Sequence, residues 1–418
     1  MDNLYSLIKT FGNPHALIDH WDTSSNRYAI WKFEETFSIN NKGEALLNGK
    51  LSNESPLELF QKTLDNWKSE SNELSAVGYI SYDFKNILFP HIAFNNPNST
   101  QPLLWFGKPK LVVPYRITEP ELEAASTVFR LKKDIPPPHE YKEFIRKIKT
   151  ALSNGDSYQI NFTQPKKFEI TDNPLDIYLS MREMVRPHYG MYLNQKDFQI
   201  LSFSPEQFFR TNNRKIESFP MKGTRPRSND LIMDERLAGE LFESEKDRAE
   251  HLMIVDLIRN DLGKICDYDS VKVDDLYGIQ SFNTVHQMVS RVYGKLQNSI
   301  TESDIIRALF PGGSITGAPK EKSMEIIDAL EGYQRGIYTG CLGYIQPNGD
   351  MDFNIAIRTM TIQNEKAVYP VGGGIVWDSD SLEEWQEAQQ KGAILKPFQK
   401  NVQSQKINHE KTQQFANH

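Results

Sequence analysis

The chain has 418 residues, 39% of them hydrophobic, and a formal net charge of −7. It has enough apolar material for a large core, and no long basic run that would make nucleic acid or an anionic membrane its main partner. No stretch approaches the ~20 apolar residues of a membrane span, and Met1-Asp-Asn-Leu lacks the basic-then-apolar pattern of a leader, so a cytoplasmic protein is expected.

Residues 1 to about 115 alternate short apolar runs with polar turns and predict mainly strands. Ala76-Val-Gly-Tyr-Ile-Ser-Tyr-Asp83 and Leu103-Leu-Trp-Phe106 are such runs, and Asn95-Asn-Pro-Asn-Ser-Thr100 is such a turn. Pro136-Pro-Pro138 punctuates the chain and suggests a linker or boundary near 135. Beyond it, Tyr141, Phe144, Ile145, Ile148 and Leu152 recur at helical spacing up to Gly155. Tyr158-Gln-Ile-Asn-Phe162 then reads as a strand with Gln159 and Asn161 on one face, where a polar pair can line a site.

The stretch from Ser202-Phe-Ser-Pro-Glu206 to Pro220-Met-Lys-Gly-Thr-Arg-Pro-Arg227 sets an acid and an amine beside turns. A lysine, with a free pKa of roughly 10.4, is a nucleophile near neutrality only where desolvation or positive charge lowers that value. Lys222 is followed by Gly223, Thr224, Arg225 and Arg227, and Glu206 follows the rigid Pro205. Such a carboxyl can shuttle a proton to a leaving hydroxyl. An ordinary surface ion pair near a turn is the other explanation of the two residues.

From Glu245 to Asn260 a helix is predicted, with Leu252, Val255, Ile258 and Leu262 on one stripe and Glu250 off it. Ser303 to Leu309 and Glu321 to Leu330 read as helices around the Gly-rich Pro311-Gly-Gly-Ser-Ile-Thr-Gly-Ala-Pro-Lys320, whose spacing fits neither a P-loop nor a dinucleotide fingerprint. Strands are expected at Gly340–Ile345, Asn354–Met360 and Ala367–Val371, the last running into Gly372-Gly-Gly374. Glu384, Glu387 and Lys391 share one helix face. That face is either a solvated surface with a Glu-to-Lys pair or a pair of oxygen ligands for magnesium, with Glu250 as the third and the lysine meeting a substrate anion. His251 and His286 lack zinc spacing, and Cys266 and Cys341 lack any CxxC, so both cysteines are expected as buried small side chains.

In this order, Gly155-Asp-Ser-Tyr-Gln-Ile-Asn161, Ser204-Pro-Glu206, Lys222-Gly-Thr-Arg225, Glu250-His-Leu-Met-Ile-Val-Asp-Leu-Ile-Arg-Asn-Asp261, Phe310 to Lys320, Ala356-Ile-Arg-Thr359 and Glu384-x-x-Glu387-x-x-x-Lys391 resemble the chorismate-utilising enzymes. That family holds anthranilate synthase component I, aminodeoxychorismate synthase component I and the isochorismate and salicylate synthases. The resemblance implies an α+β fold of two packed antiparallel β-sheets with helices on the outside. Residues 1–135 would be a divergent contribution to the same body, 138–396 the chorismate-binding catalytic region and 397–418 a polar tail.

The resemblance also implies roles. Lys222 stands where the aminodeoxychorismate branch has lysine and the anthranilate branch alanine, while Gln159 stands where the isochorismate and salicylate synthases have a water-activating lysine. The implied chemistry is attack by Lys222 on chorismate with Glu206 as proton donor and acceptor, giving 4-amino-4-deoxychorismate on the way to p-aminobenzoate and folate. Anthranilate formation is the alternative, and a non-catalytic chorismate- or tryptophan-binding subunit the remote one. Arg358, Tyr338 and Thr316 would hold one carboxylate, aided by the amides of Gly372 and Gly374, with Gln159, Thr224, His286 and Lys391 as further substrate contacts. Magnesium would sit on Glu250, Glu384 and Glu387. A separate glutamine amidotransferase would supply ammonia, and an aminodeoxychorismate lyase would act on the product. Where some members bind tryptophan, this chain has Leu17-Ile-Asp-His20 and His188-Tyr-Gly190, with His20 and Gly190 departing from the serine and methionine of that pattern.

Overall fold

The structure is a computed structural model and describes residues 2–21, 27–95, 100–116, 129–282 and 285–399. Residues 400–418 of the expected polar tail 397–418, and residues 96–99 of the expected Asn95–Thr100 turn, lie outside the described residues, whereas Phe398 of that tail is buried and stacked on Phe129.

The N-terminal part runs β1 (Asp2–Asn3), α1 (Leu4–Phe11), β2 (Ala16–Asp19), β3 (Tyr28–Ile39), β4 (Ala45–Leu47), β5 (Lys50–Leu51), α2 (Pro56–Glu70), β6 (Ala76–Ile80), α3 (Lys85–Leu88) and β7 (Leu104–Arg116). Two of its helices escaped the strand-dominated expectation. In α1 the side chain of Asn3 accepts from the Tyr5 amide and Leu4 and Leu7 are buried. In α2 proline occupies the first turn, and Leu57, Phe60, Leu64 and Trp67 form its buried stripe.

The chain continues through β8 (Arg130–Lys133), α4 (Pro138–Ser153), β9 (Gln159–Glu169), α5 (Pro174–Val185), β10 (Tyr189–Asn194), β11 (Gln199–Ser204), β12 (Gln207–Asn212), β13 (Lys215–Ser218) and β14 (Met221–Pro226). Next come α6 (Leu231–Glu243), α7 (Glu245–Gly263), β15 (Lys272–Ser281), β16 (Val285–Lys295), α8 (Glu302–Leu309), β17 (Gly317–Ala318) and α9 (Lys320–Glu331). The last are β18 (Cys341–Ile345), β19 (Met351–Ile355), β20 (Thr359–Gln363), β21 (Lys366–Ile375) and α10 (Ser381–Lys391).

Strand pairing forms one antiparallel path, β9–β21–β20–β11–β10–β2–β3–β7–β6–β18–β19–β12–β13–β16, with β14 and β15 also on β16. The path folds back on itself. Asn354 of β19 donates to the Tyr189 carbonyl of β10 at 2.9 Å, and Ser204 of β11 donates to the Ile355 carbonyl at 2.7 Å. The α+β class is therefore seen, with layers that are continuous through shared strands. Sequence-distant parts share each core. One unites Phe37, Phe60 and Phe106 with Phe209, Leu309 and Phe353, and another unites Leu4, Trp31 and Tyr115 with Ile135, Phe168 and Tyr369. Pro136–Pro138 thus lead into α4 directly from a residue packed in a core common to both sides.

Two local expectations change. The single strand expected over 354–360 is two strands, because Arg358 takes a left-handed conformation, φ 50°, and turns the chain between β19 and β20. On α7 the buried residues include Val255 and Leu262, but Leu252 is 39% exposed. Both cysteines are buried and unpaired. No helix among the described residues is long and apolar enough to cross a membrane.

Candidate active site

Glu206 follows β11 in a turn pinned to β19: its amide donates to Ser204 Oγ at 3.2 Å, and its carbonyl accepts from the Ile355 amide at 3.0 Å. The Ser314 hydroxyl donates to Glu206 Oε1 at 3.3 Å. Burial pushes the carboxyl up to about 7, against the opposing pull of Lys222, Ser314 and Lys391. At neutral pH both its forms are populated, as a group that gives and retrieves a proton requires.

Lys222 lies on β14 at a register shift between Lys222 and Thr224. Gly223, φ 69°, is obligatory there, since a Cβ would sit 2.7 Å from Leu241 Cδ1 and 2.9 Å from Asp247 Oδ1. The amine donates to Gln159 Oε1 at 3.2 Å. Burial lowers its proton affinity and Lys391 adds to the effect, while Glu250, Glu206 and Glu387 work against it. Desolvation, the first of the two causes that can make a lysine nucleophilic, is therefore built into the protein. The Nε2 of Gln159, fully buried, has no hydrogen-bond partner among the described residues. It is a donor left open beside the Lys222 amine.

The end of β21 separates two charged groups. A Cβ on Gly374 would lie 3.0 Å from Gln159 Cδ and 3.2 Å from Lys222 Nζ. One on Gly373 would lie 3.2 Å from Glu387 Oε1, 3.4 Å from Lys391 Nζ and 3.5 Å from Glu384 Oε2. The amides of Gly372 and Gly374 also point away from β9. Their register partners are Thr163 and Asn161, whose own N–H groups go to Glu331 at 2.8 Å and to the Thr316 carbonyl at 2.8 Å. In an antiparallel ladder both members of such a pair face outward. On that outer side β20 pairs with β21 only as far as Val368.

On α10, Asp380 caps the helix and Glu384 accepts from Ser379 Oγ at 2.6 Å. Glu387 pairs with Lys391 at 2.6 Å, so the expected Glu-to-Lys pair is present, and the same ammonium donates to the Gly372 carbonyl at 2.8 Å. Burial raises Glu250 of α7 and Glu384 above the usual carboxylate range, with Glu387 adding repulsion to each. Lys391 holds Glu387 below it against burial. Among the described residues no three such side chains already converge as a metal cage.

The other expected contacts are placed unevenly. Arg358 sits half-buried at the β19–β20 turn near Tyr369, and among the described residues no ion pair engages its guanidinium. Tyr338 is buried, its hydroxyl made harder to ionise by desolvation. Thr316 is buried but spends its hydroxyl on the Gly312 carbonyl at 2.9 Å. Thr224 is exposed, opposite Gln287. His286 is not brought to the cluster: its Nδ1 meets Ser281 Oγ at 2.8 Å and its Nε2 meets Asp234 at 3.0 Å, so both nitrogens hold β16 to its neighbours.

Two residues were missed. Ser314, inside the Gly-rich stretch, was readable there as a hydroxyl, and Gly373 as the middle of three glycines. Around His20, Tyr189 and Gly190 the void is only about 10 Å³, room for about one water. The His20 ring stands edge-on to Tyr189, 5.5 Å between centroids, at the position where the tryptophan-binding pattern has serine.

Residues 115–397 match the family described as chorismate binding enzyme. Aminodeoxychorismate synthase component 1 of Bacillus subtilis (strain 168) is 41% identical over 255 residues, covering 61% of this chain and 54% of that protein. Its counterpart in Escherichia coli (strain K12) is 42% identical, covering 62% and 58%. Anthranilate synthase component 1 of Saccharolobus solfataricus is 37% identical, covering 62% and 61%. Each match thus spans less than two thirds of the relative's length.

Among solved structures, anthranilate synthase component I from Streptococcus pneumoniae TIGR4 superposes with a TM-score of 0.78 at 26% identity, over 88% of this chain and 92% of that one. A 2,3-dihydroxybenzoate-specific isochorismate synthase, DhbC from Bacillus anthracis, shares the fold with a TM-score of 0.74 at 20% identity, over 94% and 98%. With more than half its length matched by that family, the chain belongs to the chorismate binding enzymes.

Proposed function

We propose that the chain is an aminodeoxychorismate synthase component I, converting chorismate and ammonia to 4-amino-4-deoxychorismate and water. The observation that carries the reading is the buried Lys222 amine, depressed in proton affinity and held by Gln159 at 3.2 Å, beside a carboxyl poised near 7. The neutral amine attacks ring C2, both ring double bonds shift (C1=C2 to C1=C6 and C5=C6 to C4=C5), and the C4–O bond breaks as Glu206 delivers its proton to the departing hydroxyl, which leaves as water. Glu206, now a carboxylate, collects the proton that the new C2 ammonium sheds. Ammonia then adds at C4, both double bonds shift back, and the C2–N bond breaks as Glu206 protonates Lys222, which leaves as a free amine, after which Glu206 takes the extra proton from the C4 ammonium.

Arg358, whose guanidinium no ion pair engages among the described residues, and the outward amides of Gly372 and Gly374 suit one substrate carboxylate. Glu250, Glu384 and Glu387 are an oxygen-only set; burial raises Glu250 and Glu384, and Glu387 adds repulsion to each, which fits a divalent cation such as magnesium. When bound, it supplies positive charge for the second carboxylate. Lys391, paired with Glu387, stands within reach of the same region. The word component in the relatives' names supports a partner, which we take to be a glutamine amidotransferase delivering ammonia in the cytoplasm, with an aminodeoxychorismate lyase acting next.

The test is purified protein with chorismate, magnesium and ammonium, products separated by chromatography with and without that lyase. Lyase-dependent p-aminobenzoate is expected. The similarity to anthranilate synthases gives the second reading its standing, and fluorescent anthranilate formed without lyase would establish it instead. Lys222→Ala is expected to lose on the order of 10²–10⁴ in kcat, and full activity in that variant would refute the covalent route.

A further inference from the structure

We infer that Arg335 is the positioning residue of the substrate pocket, acting through the backbone it holds and not by contact with the reacting atoms. The inference rests on the function proposed above. Arg335 follows α9 and is 4% exposed. All five of its guanidinium hydrogens have acceptors. Nε and Nη2 form a fork on Glu331 at 2.8 and 2.6 Å. Nη2 also donates to the Asn161 carbonyl at 2.7 Å, and Nη1 donates to the Ile315 carbonyl at 2.9 Å and to Thr339 Oγ1 at 3.2 Å.

Each acceptor belongs to a different wall of the pocket. Asn161 lies on β9, two residues from Gln159 and opposite Gly374. Ile315 lies between Ser314, which contacts Glu206, and Thr316, whose carbonyl receives the Asn161 amide at 2.8 Å. Thr339 follows Tyr338 and donates back to its carbonyl at 2.6 Å. The counter-ion extends the same frame, since Glu331 accepts from both the amide and the hydroxyl of Thr163, each at 2.8 Å, opposite Gly372. The Tyr82 ring closes the far side at 4.5 Å from the guanidinium carbon. One planar cation thus fixes the spacing between the strand carrying Gln159, the loop that touches Glu206 and the turn carrying Tyr338. Lysine, with three donors on a flexible stem, cannot reach these directions at once.

The experiment compares Arg335→Lys with wild type by steady-state kinetics with ammonium and by calorimetric titration of chorismate without it. Arg335→Lys is expected to raise KM and the chorismate Kd roughly tenfold, the worth of one or two lost buried hydrogen bonds. It should leave kcat within about threefold and the kinetic inflection near 7 in place. A merely structural role would lower the melting temperature without moving KM or Kd, and values within about twofold of wild type overturn the inference. Thr339→Val, which removes one acceptor and leaves the ion pair intact, decides the matter if Arg335→Lys does not fold. A rise of about three- to fivefold in Kd is expected, and an unchanged Kd overturns the inference. The titration needs no turnover, so a wild type that binds chorismate yet forms no aminodeoxychorismate refutes the proposed function while the comparison of Kd values still tests Arg335.

Discussion

Glu206→Gln keeps the shape of the side chain and removes its charge, so it isolates what the ionised carboxyl costs the folded protein. Burial moves this group from 4.5 to about 7. At about 1.4 kcal/mol for each tenfold in proton affinity, ionising it in the folded state costs at most about 3 kcal/mol. The side chain is only half-buried by surface area, so solvent in the cleft reduces this to roughly 1–2 kcal/mol.

Because the folded value is the higher one, the stabilising contribution is complete below 4.5 and is lost as pH rises through about 7. Urea melts of both proteins at pH 4.5 and pH 8 are the assay. Equal stability is expected at the lower pH, and at the higher pH the glutamine variant should be more stable by that amount while its turnover falls on the order of 10²–10⁴. A stability difference that does not change with pH, or a variant less stable at pH 8, would refute the reasoning.

Two further outcomes follow from the packing. Gly374→Ala places a methyl 3.0 Å from Gln159 Cδ and 3.2 Å from Lys222 Nζ. It should cost about 10² in kcat/KM with an unchanged urea midpoint, and normal kinetics would show that the amine does not work from this position. Asp19 is fully buried and accepts from Tyr115 and, at 2.8 Å, from Tyr178 beside Arg182. Asp19→Asn removes the charge that two buried tyrosines donate to and leaves Arg182 only its 2.8 Å pair with Glu183, so it should lower stability by about 2 kcal/mol, and a loss under about 0.5 kcal/mol in urea melts would contradict this.

The helices α4, α7, α8 and α9 were readable because their apolar spacing is long and regular, and β18 and β21 because they are compact apolar runs bounded by glycines. In α1 and α2 the signals were also present, an Asn cap in one and Ser55-Pro56 before a Leu-Phe-Leu-Trp stripe in the other. They were hidden by short apolar clusters that suit strands equally. The break at Arg358 was not legible, because its left-handed backbone is imposed by the turn between strands and has no local glycine or asparagine to announce it. At the site, motif order pointed to Glu206, Lys222, Gln159 and the three glutamates. It gave no sign that the ring of His286 would be spent on Ser281 and Asp234, or that Arg335 would gather three walls, since those are contacts across long sequence separations.

The folded-back strand path bears on how the protein is made. β6 pairs on one edge with β7 but on the other, through Ile80, with Cys341 of β18, and β2 pairs with β3 but also, through Ile18, with Met191 of β10, so each of these early strands leaves the ribosome with one edge unfilled. At about 5–20 residues per second, β6 waits roughly ten to fifty seconds for its partner. During that time the β18-facing edge of β6, with Val77, Tyr79 and Ile80 all destined for burial, stays unpaired. Such non-local pairing folds slowly, which leaves the nascent N-terminal part open to association until β18 is made. A chain ended before β18 would be an aggregation-prone fragment and not a smaller working domain.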